Sequence, residues 1–306
     1  MMSNDKPKGV LCALAATAIW GGSYTVSRFL FHGGDDGFDG FGASFLRFAV
    51  SALVLAPALF DRPAWVTLRK NWRHDLLMFV FLALTGYVLE GTLVFFSAKF
   101  TTSARASLMA NTTPIFTMLI SCLATREVLT GKKLGGVFLG AAGIALTFMS
   151  QGNDLFSGPG SDTIGALLAV SSGICWALYT VFGAGVVKRY NPWFASEILF
   201  IVATLAMLPA AWICGGKITL ALNWQTWLGI VYWGVCVSAV ACGLWYVALK
   251  HLAPGELGAF GYLTPVVSLI LAMIFFAERP SWHFYAALVL IVGGVTLMVD
   301  NQPKGR

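Results

Sequence analysis

Charge is what this chain has least of. Lys, Arg, Asp and Glu make up 11% of its 306 residues while 58% are hydrophobic, against roughly 25% charged and 45–50% apolar in an ordinary soluble domain. With a mean hydropathy of +0.76, the excess apolar surface has no soluble core to fill, and a soluble single domain is excluded. Short chemical motifs are missing as well. There is no GKS/T phosphate loop, no HExxH and no GxSxG elbow, which argues against an ATP-driven pump and an intramembrane hydrolase. None of the six cysteines forms a CxxC pair, and all six fall inside apolar runs, where a thiol serves as a small packing group. His32, His74, His251 and His283 sit in loops or at run ends. No metal and no cofactor is therefore expected.

What is present is a succession of apolar runs, each near the roughly 20 residues a helix needs to cross a bilayer. They cover 9–31, 41–60, 75–98, 103–124, 132–150, 163–186, 193–214, 226–249, 255–277 and 282–299. Because they are continuously apolar and do not alternate, barrel strands are disfavoured. The expected fold class is an all-α polytopic membrane protein with ten transmembrane helices. The first run lacks a clear cleavage site and reads as a retained helix.

The net charge of +6 would suggest nucleic acid in a soluble protein, but here its distribution says more. Most Lys and Arg fall in alternate loops and at the termini, at Lys6, Lys8, Arg62, Arg69, Lys70, Arg73, Arg126, Lys132, Lys133, Lys188, Arg189, Lys250, Lys304 and Arg306. The positive-inside rule puts those loops and both termini in the cytoplasm. The acidic loop GGDDGFDG (33–40) and the linker 151–162 then lie outside. The expected partners are a lipid bilayer and a small-molecule substrate, without nucleic acid, and both a monomer and a weak homodimer stay open.

The chain repeats itself. TPIFTMLISCLATRE (113–127) and TPVVSLILAMIFFAE (264–278) carry Thr, Pro and Glu at the same offsets, 151 residues apart. At that offset Phe95 meets Tyr246, Lys99 meets Lys250, Thr130 meets Ser281 and Gly143 meets Gly294. AIWGGSYTV (18–26) answers ICWALYTV (174–181), and Pro57 answers Pro209. Two five-helix halves result, 1–150 and 163–306, joined by 151–162. Five is odd, so the second copy is expected upside down relative to the first, as in many transporters. Duplication with only a structural consequence is the alternative. The loss of basic residues between runs nine and ten, where only Arg279 remains, favours inversion.

These features resemble the EamA family of the drug/metabolite transporter superfamily: two five-helix units, each with a small-residue-rich helix, a TP(I/V) proline and a glutamate closing the fourth helix, plus the Trp-Gly opening of helix one. The resemblance covers nearly the whole chain. It implies a ten-helix inner-membrane carrier, secondary or facilitative, often an exporter of amino acids or other metabolites and including the aromatic amino-acid exporter type. Helices 1, 3, 4, 6, 8 and 9 would surround a central cavity, with 5 and 10 peripheral. Two alternatives stand beside it: a multidrug exporter of lipophilic cations using the same cavity, and a non-transporting membrane enzyme or scaffold, which would need a catalytic constellation at one interface that the sequence does not display.

Glu90 is the acidic residue placed well inside a run, where a charge costs on the order of 3 kcal/mol. It reads as a contact for a substrate amine or as the carrier of a coupling proton, or else as a packing carboxyl paired with Arg105 or Arg47. Tyr87 lies three residues earlier, on the same helix face. Asn111, Thr112 and Thr113 precede Pro114, and Tyr262 and Thr264 precede Pro265. Each proline removes a helical hydrogen bond, so both spots are expected to kink and expose polar backbone. Trp20 with Tyr24, and Trp176 with Tyr179, hold matching places in helices one and six; Trp245 and Tyr246 add aromatic surface from helix eight. The expected substrate-binding set is Trp20, Tyr24, Tyr87, Glu90, Asn111, Trp176, Tyr179, Tyr246 and Tyr262, with Pro114 and Pro265 as kinks. Gly136, Gly140 and Gly143 are expected to allow close helix contact. Trp193, Trp224, Trp227 and Trp282 read as interfacial anchors. Glu127 and Glu278 read as groups stabilising the next helix's N-terminus beside the caps Thr130 and Ser281.

Overall fold

The computed structural model describes residues 5–30, 40–101, 103–150, 161–276 and 282–299; within these, the side chains of residues 24, 27–30, 98, 103–105, 148, 150, 161 and 162 lie outside the description. Everything regular among the described residues is helical. That follows from the composition, because in hydrocarbon a backbone must satisfy its own polar groups and a helix does so within one segment. The helices are α1 (Lys6–Leu30), α2 (Gly40–Leu55), α3 (Arg62–Lys70), α4 (Trp72–Ala83), α5 (Glu90–Phe100), α6 (Ser103–Ala110), α7 (Thr113–Thr125), α8 (Gly131–Ser150), α9 (Ser161–Val187), α10 (Pro192–Cys214), α11 (Trp224–Tyr232), α12 (Ala241–His251), α13 (Pro254–Ala259), α14 (Leu263–Phe276) and α15 (Trp282–Met298). Several of these are parts of one longer helix. By length and composition, seven helical spans among the described residues can cross a membrane, among them Trp72–Ser97, Trp224–His251 and Pro254–Phe276.

The interruptions are systematic. Between α4 and α5 the helix widens into a π-turn over Leu84–Leu89, and between α11 and α12 it does so again over Trp233–Val240. In the second π-turn, two carbonyls are taken by donors from neighbouring helices: Trp20 Nε1–H donates to Val237 O at 3.0 Å and Ser51 Oγ–H to Gly234 O at 2.9 Å. The other interruption is proline. Pro114 cannot donate to Ala110 O, and α6 stops there. Thr113 Oγ–H donates to that carbonyl at 2.6 Å, while Thr112 bonds Met109 O at 2.6 Å and Asn111 Nδ2–H bonds Ser107 O at 2.7 Å. In the matching place, α13 and α14 are separated by a tight 3-10 turn over Phe260–Tyr262.

Packing follows a paired pattern. The first helix, α1, lies against α12 and α14, and α9 lies against α5, α6 and α7; α2 packs on α10, and α8 on α15. The last pair depends on missing side chains. A Cβ on Gly136 would fall 2.6 Å from Gly294 O, and one on Gly294 would fall 2.7 Å from Gly136 O, so the two backbones touch where both glycines sit.

One element departs from the sequence reading. Residues 61–74 read as a loop, yet they contain α3, started by Asp61, whose carboxylate accepts from Ala64 N–H at 3.1 Å. A short helix rich in Arg and Lys has the composition of a break, and only its local cap reveals it.

Candidate functional site

A cavity of about 500 Å³ lies between α1, α2, the α4–α5 π-turn, the α6–α7 break, α9 and the α11–α12 π-turn. Every interruption described above reaches its wall. Gly86 and Tyr87 come from the first π-turn, Val237 and Ser238 from the second, Asn111, Thr113 and Pro114 from one proline break, and Gly261 and Thr264 from the other. The two breaks face each other, since a Cβ on Gly261 would lie 3.6 Å from Pro114 Cγ. π-turns inside α-helices are found disproportionately at functional sites, and here they set the shape of the wall.

The apolar side of the cavity is a tryptophan triangle. Trp20 lies 5.4 Å from Trp176 and 5.1 Å from Trp245, and Trp176 lies 6.4 Å from Trp245, ring centroid to centroid. Trp245 Nε1–H is held by Thr180 Oγ1 at 3.2 Å. The charged side is Arg47 and Glu90, both lining the cavity. The guanidinium carbon of Arg47 stands 4.6 Å from the Phe48 centroid and 5.9 Å from that of Trp233.

Of the residues expected to bind substrate, Trp20, Tyr87, Glu90, Asn111 and Trp176 line the cavity. Tyr24's side chain lies outside the description. Tyr179, Tyr246 and Tyr262 stand elsewhere, each fully buried behind the wall. Tyr179 is pressed by Gly86, bonds the Tyr87 hydroxyl at 2.8 Å and stacks on Tyr246 at 5.1 Å. Tyr262 lies over Gly140 and donates to Val137 O at 3.4 Å. Periodicity places a ring on the inner side of a helix, but it cannot say whether a second ring stands in front. Of the prolines, Pro114 reaches the wall and Pro265 sits one residue beyond Thr264. Arg47, Ser238 and Cys242 line the cavity without having been selected. An arginine in the middle of an apolar run was the signal for the first; the other two gave none.

Beyond the breaks α13 packs closely on α7. A Cβ on Gly258 would meet Thr117 at 2.7 Å, and one on Gly255 would meet Met118 and Glu127 at 2.8 Å. Here lies a buried charge network. Glu127 Oε1 accepts from Lys133 Nζ at 2.7 Å, and its other oxygen accepts from Ser121 and from Gly255 N–H at 2.9 Å. Glu256 pairs with Lys6 at 3.3 Å and Lys133 at 3.6 Å. Glu127 therefore stabilises the N-terminus of α13, across the bundle, and not that of the helix that follows it. Thr130 does cap α8, accepting from Lys133 N–H at 3.3 Å; Glu278 and Ser281 lie outside the described residues.

A second cluster joins the start of α4 to the end of α9. Asp75, 1% exposed, takes Arg189 at 2.6 Å, His74 at 3.0 Å and the Tyr190 hydroxyl. Burial, and then the hydrogen bond to Asp75, raise the Tyr190 phenol above its ordinary value, so it remains a donor in neutral and alkaline solution. Glu197, 1% exposed on α10, adds a further buried carboxylate. Asp75, Glu197 and Glu256 are the buried acids among the described residues, whereas Glu90 is half-buried and lines the cavity. Trp193 is likewise wedged against Gly243 inside the bundle, whereas Trp224 and Trp282 are 71% and 69% exposed.

The sequence profile of the EamA-like transporter family matches this chain twice, over residues 7–149 and 163–300. An uncharacterized transporter of Archaeoglobus fulgidus is 28% identical over 286 residues, spanning 93% of this chain and 94% of its own. The uncharacterized transporter YetK of Bacillus subtilis is 24% identical over 304 residues, with 97% and 89% covered. The uncharacterized inner membrane transporter YedA of Escherichia coli is 24% identical over 286 residues, with 92% and 87% covered. A solved crystal structure superposes with a TM-score of 0.80 at 20% identity, over 95% of this chain and 96% of that one.

Proposed function

The chain belongs to the EamA-like transporter family and is a multi-pass inner-membrane transporter; on that footing we propose that it moves a small amphiphilic metabolite, an amino acid in the first instance, out of the cytoplasm by alternating access. The observation that carries this reading is the cavity of about 500 Å³ whose wall is interrupted at matching places by two π-turns and two breaks next to TP pairs. We read 1–150 and 163–306 as two inverted five-helix copies joined by 151–162, giving ten spans with both termini in the cytoplasm. The reciprocal packing supports it: α1 against α12 and α14 is answered by α9 against α5 and α7, while α2–α10 and α8–α15 pair across the halves. Inverted halves can exchange conformations and present one midplane site to either side. On this orientation the charge networks at Glu127 and Asp75 close the cytoplasmic end.

Within the cavity, Glu90 contacts the substrate's ammonium group or carries a coupling proton, and the tryptophan triangle takes its apolar part. Purified protein in proteoliposomes tests this by counterflow of labelled amino acids. Glu90→Gln is expected to lower transport at least about tenfold, the loss of one buried charged contact, with the thermal midpoint kept. Unchanged rates over a pH series would remove Glu90 from the mechanism. The alternative, an exporter of lipophilic cations, uses the same cavity with Glu90 as counter-charge. Cationic dyes outcompeting amino acids would establish it instead.

A further inference from the structure

Arg47 and Glu90 are unlike charges on one cavity wall, yet among the described residues neither closes an ion pair. Arg47 comes from α2 and Glu90 from the start of α5, and both reach the same cavity without contact. A guanidinium and a carboxylate that meet in an apolar place form a bidentate, hydrogen-bonded pair, and here that pair is not made. The rings of Phe48 and Trp233 lie within cation–π range of the guanidinium, a contact that satisfies its charge in part and leaves its N–H donors needing acceptors. Arg47 Nε is sealed from solvent with no acceptor at all. An unmade pair on a cavity wall is a dipole waiting for its complement.

We propose that Arg47 is the carboxylate-binding residue of this site and that the substrate is therefore a zwitterion, its carboxylate on Arg47, its ammonium on Glu90 and its apolar side chain against Trp20, Trp176 and Trp245. The inference rests on the cavity being the transport site, as proposed above. It also sets the specificity. An organic cation satisfies Glu90 but is repelled by Arg47 and leaves that guanidinium unpaired; an organic anion fails in the reverse way. A molecule with both charges a few bonds apart leaves neither group unsatisfied, and it adds no net charge to a low-dielectric site.

The test is counterflow of labelled L-phenylalanine into proteoliposomes of the full chain, with three competitors of one ring size: L-phenylalanine, phenethylamine, which lacks the carboxylate, and 3-phenylpropionate, which lacks the ammonium. Wild-type protein is expected to prefer the zwitterion to either fragment by about tenfold or more, the scale of one charge-assisted contact. Arg47→Gln is expected to erase the preference over phenethylamine while keeping that over 3-phenylpropionate, and Glu90→Gln to do the reverse. Arg47→Lys, which keeps the charge without the planar fork, falls between. Each preference is a ratio read within one variant, so loss of folded protein does not enter it. Equal competition by phenethylamine in the wild type, or an Arg47→Gln variant weakened equally for all three, overturns the zwitterion site while leaving the cavity standing, provided Trp176→Ala still abolishes transport. If Trp176→Ala, Arg47→Gln and Glu90→Gln all transport normally, the cavity reading itself fails. If L-phenylalanine neither moves nor binds, both fail.

Discussion

Glu197 shows at the scale of one residue how burial and usefulness part. Its side chain is 1% exposed, and Oε2 has no hydrogen-bond partner; unlike Glu90, it lines no part of the cavity. A buried polar atom without a partner costs about 1–3 kcal/mol. Glu197→Met, close in volume, is accordingly expected to leave the thermal midpoint in detergent unchanged or raised, with transport retained. Tyr179 gives the opposite case. Its hydroxyl meets Tyr87 at 2.8 Å with both rings buried, so Tyr179→Phe is expected to cost about 1 kcal/mol, read as a lowered midpoint. Because Tyr179 stands behind the wall, the variant should still transport. Sequence alone could select Glu90, since a carboxylate in mid-run is conspicuous. It could not rank Tyr87 above Tyr179: both are tyrosines at sensible helical positions, and which one faces the cavity depends on how Gly86 lets the two helices close.

At the scale of the element, the two kinds of interruption were unequally visible. Proline announces itself, and the Asn111-Thr112-Thr113 run supplies the side chains that cover the carbonyl Pro114 leaves free. Pro114→Ala restores that donor, and the helix is expected to straighten. Counterflow should fall severalfold while the midpoint stays near its native value, since a proline in the first turn of a helix costs little. The π-turns carry no such letter. LTGYVL and WGVCVSAV are apolar segments like their neighbours, and one extra residue per turn is fixed by what packs outside. Glycine lies between these extremes. Gly136 was visible as part of a small-residue spacing, but its partner Gly294 on α15 was not. Gly136→Leu is expected to force α8 and α15 apart at about 1–3 kcal/mol, the range for overpacking, and size-exclusion profiles in detergent will register it.

For the whole molecule, the Glu127–Lys133–Glu256 network is the feature that depends on residues far apart in the chain. Lys133 stands between Glu127 and Glu256, with all three side chains no more than 6% exposed. Removing one partner of a buried ionic group strands the others, at about 3–5 kcal/mol. Lys133→Met is therefore expected to lower the midpoint sharply, and the triple variant with Glu127→Gln and Glu256→Gln to recover part of the loss. No recovery would mean that Lys133 acts through its alkyl chain alone. In the sequence Lys133 was one positive charge among several in a loop. Nothing there pointed to Glu256, because the pair forms only when α13 is brought against α7 and α8.

The sequence by itself determined the class of molecule. Apolar runs near bilayer length force helices, since hydrocarbon offers a backbone no other partner, and the repeated TP pairs and paired tryptophans fixed which segments correspond. Tertiary structure decided what each side chain is for. It set Tyr87 on the wall with Tyr179 behind it, turned Glu127 from its neighbour to α13, widened two helices at the cavity, and left Arg47 and Glu90 facing one space unpaired. The physical reason is range. Helix formation in a bilayer depends on the segment alone, whereas exposure to a cavity, partner choice and uncompensated charge depend on groups on other helices, far away along the chain.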